Sequence, residues 1–111
     1  MTERLPAHVE VTGLIRAVEA AGGFATVLAR GERDAGTVLL VTIHRSEPAA
    51  LYERMPRPDG SRPFLAAKRE NTENPQEFSD YLERRRRQDP DLWLVELDIP
   101  QAERFIASWA S

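Results

Sequence analysis

The run GTVLLVTIHR at residues 36–45 constrains the fold most, because it is apolar on both faces from Val38 to Val41. A strand with one solvated face alternates apolar and polar residues, whereas a strand covered on both faces does not. The run is also rich in β-branched residues, which favour strands. It therefore predicts a central strand with packing on both sides.

Other strand-like runs accompany it. FATVLAR (24–30) comes just before, and the intervening GERDAG has the glycines and the aspartate that suit a hairpin loop, so we expect these two strands to pair. AALYERMP (49–56) and residues 62–68 are typical of two further strands, separated by a turn at Asp59-Gly60. We expect the four to form an antiparallel meander.

A fifth strand is predicted in LWLVELDI (92–99). Trp93 alternates there with Val95 and Leu97, which indicates a core residue more than a ligand platform. Glu96 lies on the opposite side of this run, which we take as a candidate edge strand.

The first helix is predicted in HVEVTGLIRAVEAAGG, where apolar residues recur at i, i+3, i+4 and i+7: Val11, Leu14, Ile15 and Val18. Gly22 and Gly23 end it, since glycine accepts the left-handed backbone that follows a helix. Two starts are open. Thr12 is a plausible N-cap, or the helix begins near Pro6.

The second helix begins with Asn74 as N-cap and Pro75 at its first position, and it ends at Asp89, because a residue before proline avoids helical geometry. Its apolar stripe is Phe78, Tyr81 and Leu82. Asp98 and Gln101 mark the start of a third helix, with the stripe Ala102, Phe105, Ile106 and Trp109.

These elements predict an α+β fold: a mainly antiparallel sheet of about five strands with three helices, in the order helix-strand-strand-strand-strand-helix-strand-helix. The length of 111 residues suits one globular domain over 1–111. Apolar residues at 41% and charged residues at 30% are ordinary for a globular protein.

Several function classes lose support from composition. The chain has no cysteine, which agrees with a reducing compartment, and no apolar run approaches the roughly 20 residues of a membrane span. We therefore expect a cytoplasmic protein without membrane attachment. The formal charge of −3 gives no general attraction for nucleic acid.

Three stretches of the chain look familiar: LIRAVEAAGGFATVLARGERDAGTVLLV, LYERMPRPDGSR and YLERRRRQDPDLWLVELD. In this order and spacing they resemble the uncharacterised bacterial family catalogued as domain of unknown function 1491. The resemblance covers roughly residues 8–107 and is carried most specifically by AGGFATV, DAGTVL and DPDLW. It implies one domain over most of the chain, and no activity, cofactor or site residue.

The four consecutive arginines at 84–87 are the strongest local charge signal. Helical residues turn by about 100° each, so these side chains fan around the helix and do not form one basic stripe. Seven acids outnumber the four arginines between Asn74 and Asp98. We expect i, i+4 pairs of Asp80 with Arg84 and of Glu83 with Arg87, and we rank nucleic-acid binding last.

Arg85 differs from the other three, because it continues the apolar stripe of its helix at i+7 from Phe78. Its stem should pack on the sheet while its guanidinium reaches an acid. Asp89, Asp91 and Glu96 are the candidate partners. We expect a structural ion pair that ties the helix end to the following turn.

No motif assigns catalysis. The two histidines are 36 positions apart, and HExxH, GxSxG, SxxK and P-loop patterns are absent, so we expect no metal site and no cofactor. An alternative is a small hydrolase or ligand-binding enzyme whose site gathers dispersed residues: Arg16, His44, Asp89 and Asp91.

The function stays unknown from sequence, and the best-supported class is a small non-enzymatic module that binds a protein partner or itself as a homodimer. Trp109 and Phe105 lie on the apolar face of the last helix. They either close the core or dock on a second subunit, so they are candidate interface residues.

Overall fold

Three helices and five strands occupy the part of the chain that the structure, a computed structural model, describes: residues 5–45 and 47–109. In chain order they are α1 (Ala7–Ala20), β1 (Phe24–Ala29), β2 (Val38–His44), β3 (Glu47–Arg54), β4 (Phe64–Arg69), α2 (Pro75–Gln88), β5 (Trp93–Asp98) and α3 (Ala102–Trp109). This order confirms the predicted α+β class.

The five strands form one sheet in the order β1-β5-β2-β3-β4. β2, β3 and β4 form an antiparallel meander, which is three of the four strands expected in it. β1 is antiparallel to β5, but β5 is parallel to β2. The sheet is therefore mixed. The predicted β1–β2 hairpin is wrong because β5 lies between those strands, and for the same reason Glu96 is not on an edge strand.

The GERDAG loop, predicted to be a hairpin, instead crosses the beginning of β5. Glu32 N–H donates to the Asp91 carbonyl at 2.8 Å, and Trp93 N–H donates to the Thr37 carbonyl at 2.7 Å. A Cβ on Gly31 or Gly36 would collide with that Asp91 carbonyl oxygen. The glycines thus permit a close backbone crossing rather than a tight turn.

Both faces of the sheet are covered. On one side, called here the α1–α3 face, a core forms around Leu14, Val18, Leu40, Val95 and Ile106. On the other side, the α2 face, a smaller core holds Leu39, Val41, Leu51, Phe78, Leu92 and Leu94. Val38 to Val41 alternate between the two cores, which confirms the prediction of a central strand buried on both sides.

The helix ends follow local sequence closely. α1 begins after Pro6, and Thr12 lies inside it with its hydroxyl donating to the His8 carbonyl at 2.8 Å. Gly22 has φ +89°, its N–H donates to the Glu19 carbonyl, and Gly23 N–H donates to the Val18 carbonyl. This is the Schellman arrangement that the two glycines predicted.

The ends of α2 agree with prediction and the start of α3 does not. α2 follows Asn74 and stops at Asp89, whose backbone is extended. Asp98, predicted to cap the last helix, is the final residue of β5 and pairs with Phe24 and Ile43 on its two sides. That expectation is wrong because strand pairing continues through Asp98. None of the described helices has the length and apolar content needed to cross a bilayer.

Candidate interaction edge

β1 is an edge strand with an inverted burial pattern: its small residues face the cores and its large apolar residues face solvent. Its sequence, FATVLA, has no charged residue. Ala25 and Ala29 pack against the two cores, while Phe24 is 70% exposed, Val27 37% and Leu28 38%. Large apolar side chains therefore face solvent beside an edge that has no strand partner among the described residues. A long uncharged edge is a template for pairing with another chain.

The exposed side chains of β1 divide between the faces of the sheet. Ala25 is opposite Leu97 on the α1–α3 face, so Phe24 and Thr26, opposite Asp98 and Glu96, lie on the α2 face. A register shift between Val27 and Ala29 leaves Leu28 as an extra residue. Such a bulge bends the strand and makes regular pairing of its last residues harder.

A cleft of about 510 Å³ opens on the α2 face where β1 ends. It lies between β1 and the end of α2, and its lining is Leu28, Ala29, Arg30, Glu83, Arg86, Arg87, Asp89, Pro90 and Leu92. Arg87 is 4.0 Å from Glu83, and the Arg30 guanidinium lies 5.5 Å from the centre of the Trp93 ring. The cleft combines a few apolar side chains with a mainly charged lining.

The other end of β1 carries two carboxylates on the same face, with His44 and Arg45 also beside Phe24. Glu96 lies opposite Thr26 and Asp98 opposite Phe24, and both side chains are partly buried on the α2 face. His44 contacts Asp98 with 3.1 Å between Nδ1 and Oδ1. β1 thus runs from a carboxylate-bearing end, at Phe24, to an arginine-bearing end, at the cleft.

Arg85 makes a two-pronged ion pair with Glu53 of β3. Nη1 donates to Oε2 at 2.9 Å and Nη2 to Oε1 at 2.8 Å, and Nη1 also contacts the Tyr81 hydroxyl at 3.3 Å. The hydrogen bonds from Arg85 lower the pKa of Glu53, and the same bonds raise the pKa of Arg85. This geometry is the strong form of an arginine–carboxylate contact.

The acid that Arg85 reaches is not one of the three expected partners. The Asp89 carboxylate accepts the Asp91 N–H at 3.1 Å, Asp91 is exposed, and Glu96 lies on β5. Glu53 was missed because it is 32 residues away in sequence, on a strand whose place under α2 follows from the sheet order.

The other three arginines lie in two different surroundings. The Arg84 guanidinium is 5.6 Å from the centre of the Tyr81 ring, and Arg86 and Arg87 line the cleft. The expected Glu83–Arg87 pair is present at 4.0 Å. Asp80 instead accepts a hydrogen bond from Gln76 at 2.9 Å. The run is therefore no continuous basic stripe.

A second ion pair, not anticipated from sequence, joins the opposite face of β3 to α1. Arg54 Nη2 is 2.7 Å from Glu10 Oε1, with both side chains less than one fifth exposed. The Arg54 guanidinium also lies 4.3 Å from the centre of the Phe64 ring. The sequence signal for this pair is the position of Glu10, a charged residue directly beside the apolar stripe of α1 at Val11.

The residues proposed for a dispersed catalytic site do not meet. Asp89 and Asp91 precede β5, whereas His44 lies at the far end of β2 beside Asp98. Arg16 is exposed on α1, across the sheet from the α2 face. Within residues 5–45 and 47–109, no three His, Asp or Glu side chains are grouped as a metal site would need.

Phe105 and Trp109, the candidate interface residues, both pack against the α1–α3 core and are partly buried. Trp93 is 3% exposed, and its indole N–H donates to the Glu32 carbonyl at 2.7 Å. These aromatics pack against the core in the described structure. Three exposed large apolar side chains lie together on β1, whereas Leu65 is the exposed one on β4.

Comparison with known proteins gives solved structures of bacterial proteins that are similar to this chain. It is similar to a crystal structure from Caulobacter crescentus CB15, with 35% identity over 92% of this chain and 94% of the other and a TM-score of 0.80. A solution structure from the same organism gives 34% identity, 94% coverage of both chains and a TM-score of 0.76. A solution structure from A. tumefaciens gives 33% identity, 89% coverage of both chains and a TM-score of 0.72.

A search of curated proteins gives no match. The family model described as a protein of unknown function, DUF1491, matches residues 5–107. The two Caulobacter structures are of DUF1491 family proteins. The chain belongs to the DUF1491 family, whose function is unknown.

Proposed function

We propose that this protein is a non-enzymatic interaction module of the cytoplasm, and that it self-associates by antiparallel pairing of the β1 edges of two copies. One observation carries the proposal: β1 is an uncharged edge strand that keeps alanines inside and presents Phe24, Val27 and Leu28 outside. Edge strands that stay monomeric usually carry lysine, proline, a bulge or covering elements, and among the described residues β1 has only the bulge at Leu28.

The charge distribution along β1 favours a second copy as the occupant. Antiparallel pairing around a two-fold axis reverses the strand, so the Glu96–Asp98 end of one copy comes beside the Arg86–Arg87 end of the other. In this arrangement the α2 faces of both copies lie on the same side, because pairing of the two β1 strands joins the two sheets into one continuous sheet. Opposite charges then meet twice, once at each end.

Thr26→Lys tests this proposal. Thr26 is exposed in the middle of β1, so a lysine there is accommodated in the monomer but opposes pairing of two edges. We expect the wild-type chain to sediment as a dimer at high micromolar concentration and the variant to be monomeric, with the same circular dichroism spectrum.

Ala66→Lys is the matched control, since Ala66 is exposed on β4, the other edge strand. It should remain dimeric. A wild-type chain that stays monomeric at the highest attainable concentration contradicts the proposal, and so does a Thr26→Lys variant that dimerises as the wild type does.

A further inference from the structure

We infer that Phe24 of each copy enters the cleft of the other copy and lies beneath the partner's Arg86, so that this reciprocal contact selects the pairing register. The inference rests on the proposed self-association and adds which side chains determine it. Phe24 and the cleft lie on the same face of the sheet, at opposite ends of the same strand.

The register follows from the placement of Phe24. With Thr26 on the two-fold axis, residue 26 faces itself and residue 24 of one copy comes opposite the bulge residue Leu28 of the other, whose side chain lines the cleft. Phe24 then lies about 5 Å from the partner's Leu28 across the new strand pair. Leu28, Ala29, Pro90 and Leu92 are the apolar part of the cleft lining, and Leu92 is only 2% exposed, so the ring meets a small apolar patch at Leu28 within a mainly charged lining.

The strand length fits this placement. β1 has six residues, and successive residues advance by about 3.3 Å. Phe24 and Ala29 are therefore about 17 Å apart within one copy, too far for the ring to fill its own cleft. The two-fold operation is what brings the ring and the cleft together.

Arg86 supplies the polar side of the contact. Among the residues that the structure describes, its guanidinium makes no hydrogen bond, ion pair or ring contact, unlike those of Arg84, Arg85 and Arg87. A guanidinium over an aromatic face within about 6 Å is an attractive contact, stronger once water is excluded. In this arrangement Glu96 and Asp98 belong to the same copy as the entering Phe24, since they lie opposite Thr26 and Phe24 on β5, and they approach the same guanidinium.

Sedimentation equilibrium of four proteins tests the contact: the wild type, Phe24→Ala, Arg86→Ala and the double variant. Phe24 is 70% exposed and Arg86 is exposed, so each single variant should fold with an unchanged melting temperature in the monomer. We expect each to raise the dimer Kd at least tenfold. The double variant should raise it by clearly less than the product of the two single effects, because the residues share one contact.

Thr26→Cys reports the register independently, since the chain has no cysteine of its own. Residues that face each other on paired strands are close enough for a disulfide. Mild oxidation should give a covalent dimer with Thr26→Cys and none with Ala66→Cys, the control on β4. This measurement also separates the two proposals.

A dimeric wild type whose Kd is unchanged by Phe24→Ala and by Arg86→Ala overturns this inference and leaves the self-association standing. A dimer that gives no cross-link with Thr26→Cys also overturns the inference, because the strands then pair in another register. A wild type that is monomeric throughout overturns both proposals.

Discussion

The two edges of the sheet use charge in opposite ways. On β4, Lys68 is 3.2 Å from Glu77 of α2, and Arg69 is 3.7 Å from Glu103 of α3. The strand thus carries two cations that both discourage pairing with another chain and tie the sheet to its helices. β1 has no charged residue at all.

The contrast extends to the neighbouring strand. β3, next to β4, supplies Glu53 to Arg85 on one face and Arg54 to Glu10 on the other. Consecutive residues of one strand therefore bind the helices above and below the sheet. The β3–β4 half uses its charges for internal cohesion, whereas the β1 half leaves apolar side chains unpartnered. We therefore expect variants in the β3–β4 half to change the free energy of unfolding, and variants in the β1 half to change the dimer Kd.

The largest expected effect on stability is that of Arg54→Ala. Removing Arg54 leaves Glu10 poorly solvated without its partner, and loss of one member of a buried pair costs about 3 kcal/mol. Urea denaturation measures this loss as a lower midpoint at an unchanged slope. The dimer Kd should stay as in the wild type, because β1 is untouched.

Arg57→Ala is the control for that experiment, since Arg57 is exposed in the β3–β4 connection. It should change stability by no more than about 0.5 kcal/mol. Replacing both partners, as in Glu10→Leu with Arg54→Met, should recover most of the loss, because no unpaired charge remains. Equal losses for Arg54→Ala and Arg57→Ala would show that the pair contributes nothing.

The second effect in size separates two adjacent arginines. Arg85→Glu places a carboxylate beside Glu53 and removes a two-pronged contact, for a loss of about 2 kcal/mol. Arg86→Glu should leave the melting temperature unchanged and weaken the dimer. Melts are run at low concentration so that both variants are monomeric, since association itself stabilises a fold. Equal melting temperatures would contradict the structural role of Arg85.

Local features of the fold were predictable from sequence because they depend on neighbouring residues. Gly22 and Gly23 end α1 through backbone bonds to the preceding turn, and Asp89 ends α2 because Pro90 follows. The apolar run from Val38 to Val41 likewise predicts burial on both faces from its own residues alone. None of these outcomes needs information about strands elsewhere in the chain.

Neighbour relations between strands were not predictable in the same way. The glycines of GERDAG suit a hairpin, but Gly31 and Gly36 serve equally for a backbone that crosses close to Asp91. Only the position of β5, set by burial of residues far along the chain, decides between the two. The partners of Arg85 and Arg54 were missed for that reason, whereas the inverted burial of β1 became visible only once its two faces were known.

The smallest effect is a pH dependence confined to the β3–α2 contact. Arg85 lowers the pKa of Glu53 from its ordinary 4.5, so the ion pair stabilises the fold above that pH and its contribution is lost as the pH falls through the lowered value. With both side chains more than a quarter exposed, the contribution is about 1 kcal/mol. Glu53→Gln should be less stable than the wild type at pH 7, and the difference should shrink steadily below pH 4.5.

Glu73→Gln, at an exposed acid before α2, is the control, and its stability difference from the wild type should not shrink in this way. A Glu53→Gln difference that stays constant from pH 7 to pH 3 would mean that the contact acts through packing rather than charge, and the β3–β4 half would then owe its cohesion to the apolar cores instead of its ion pairs.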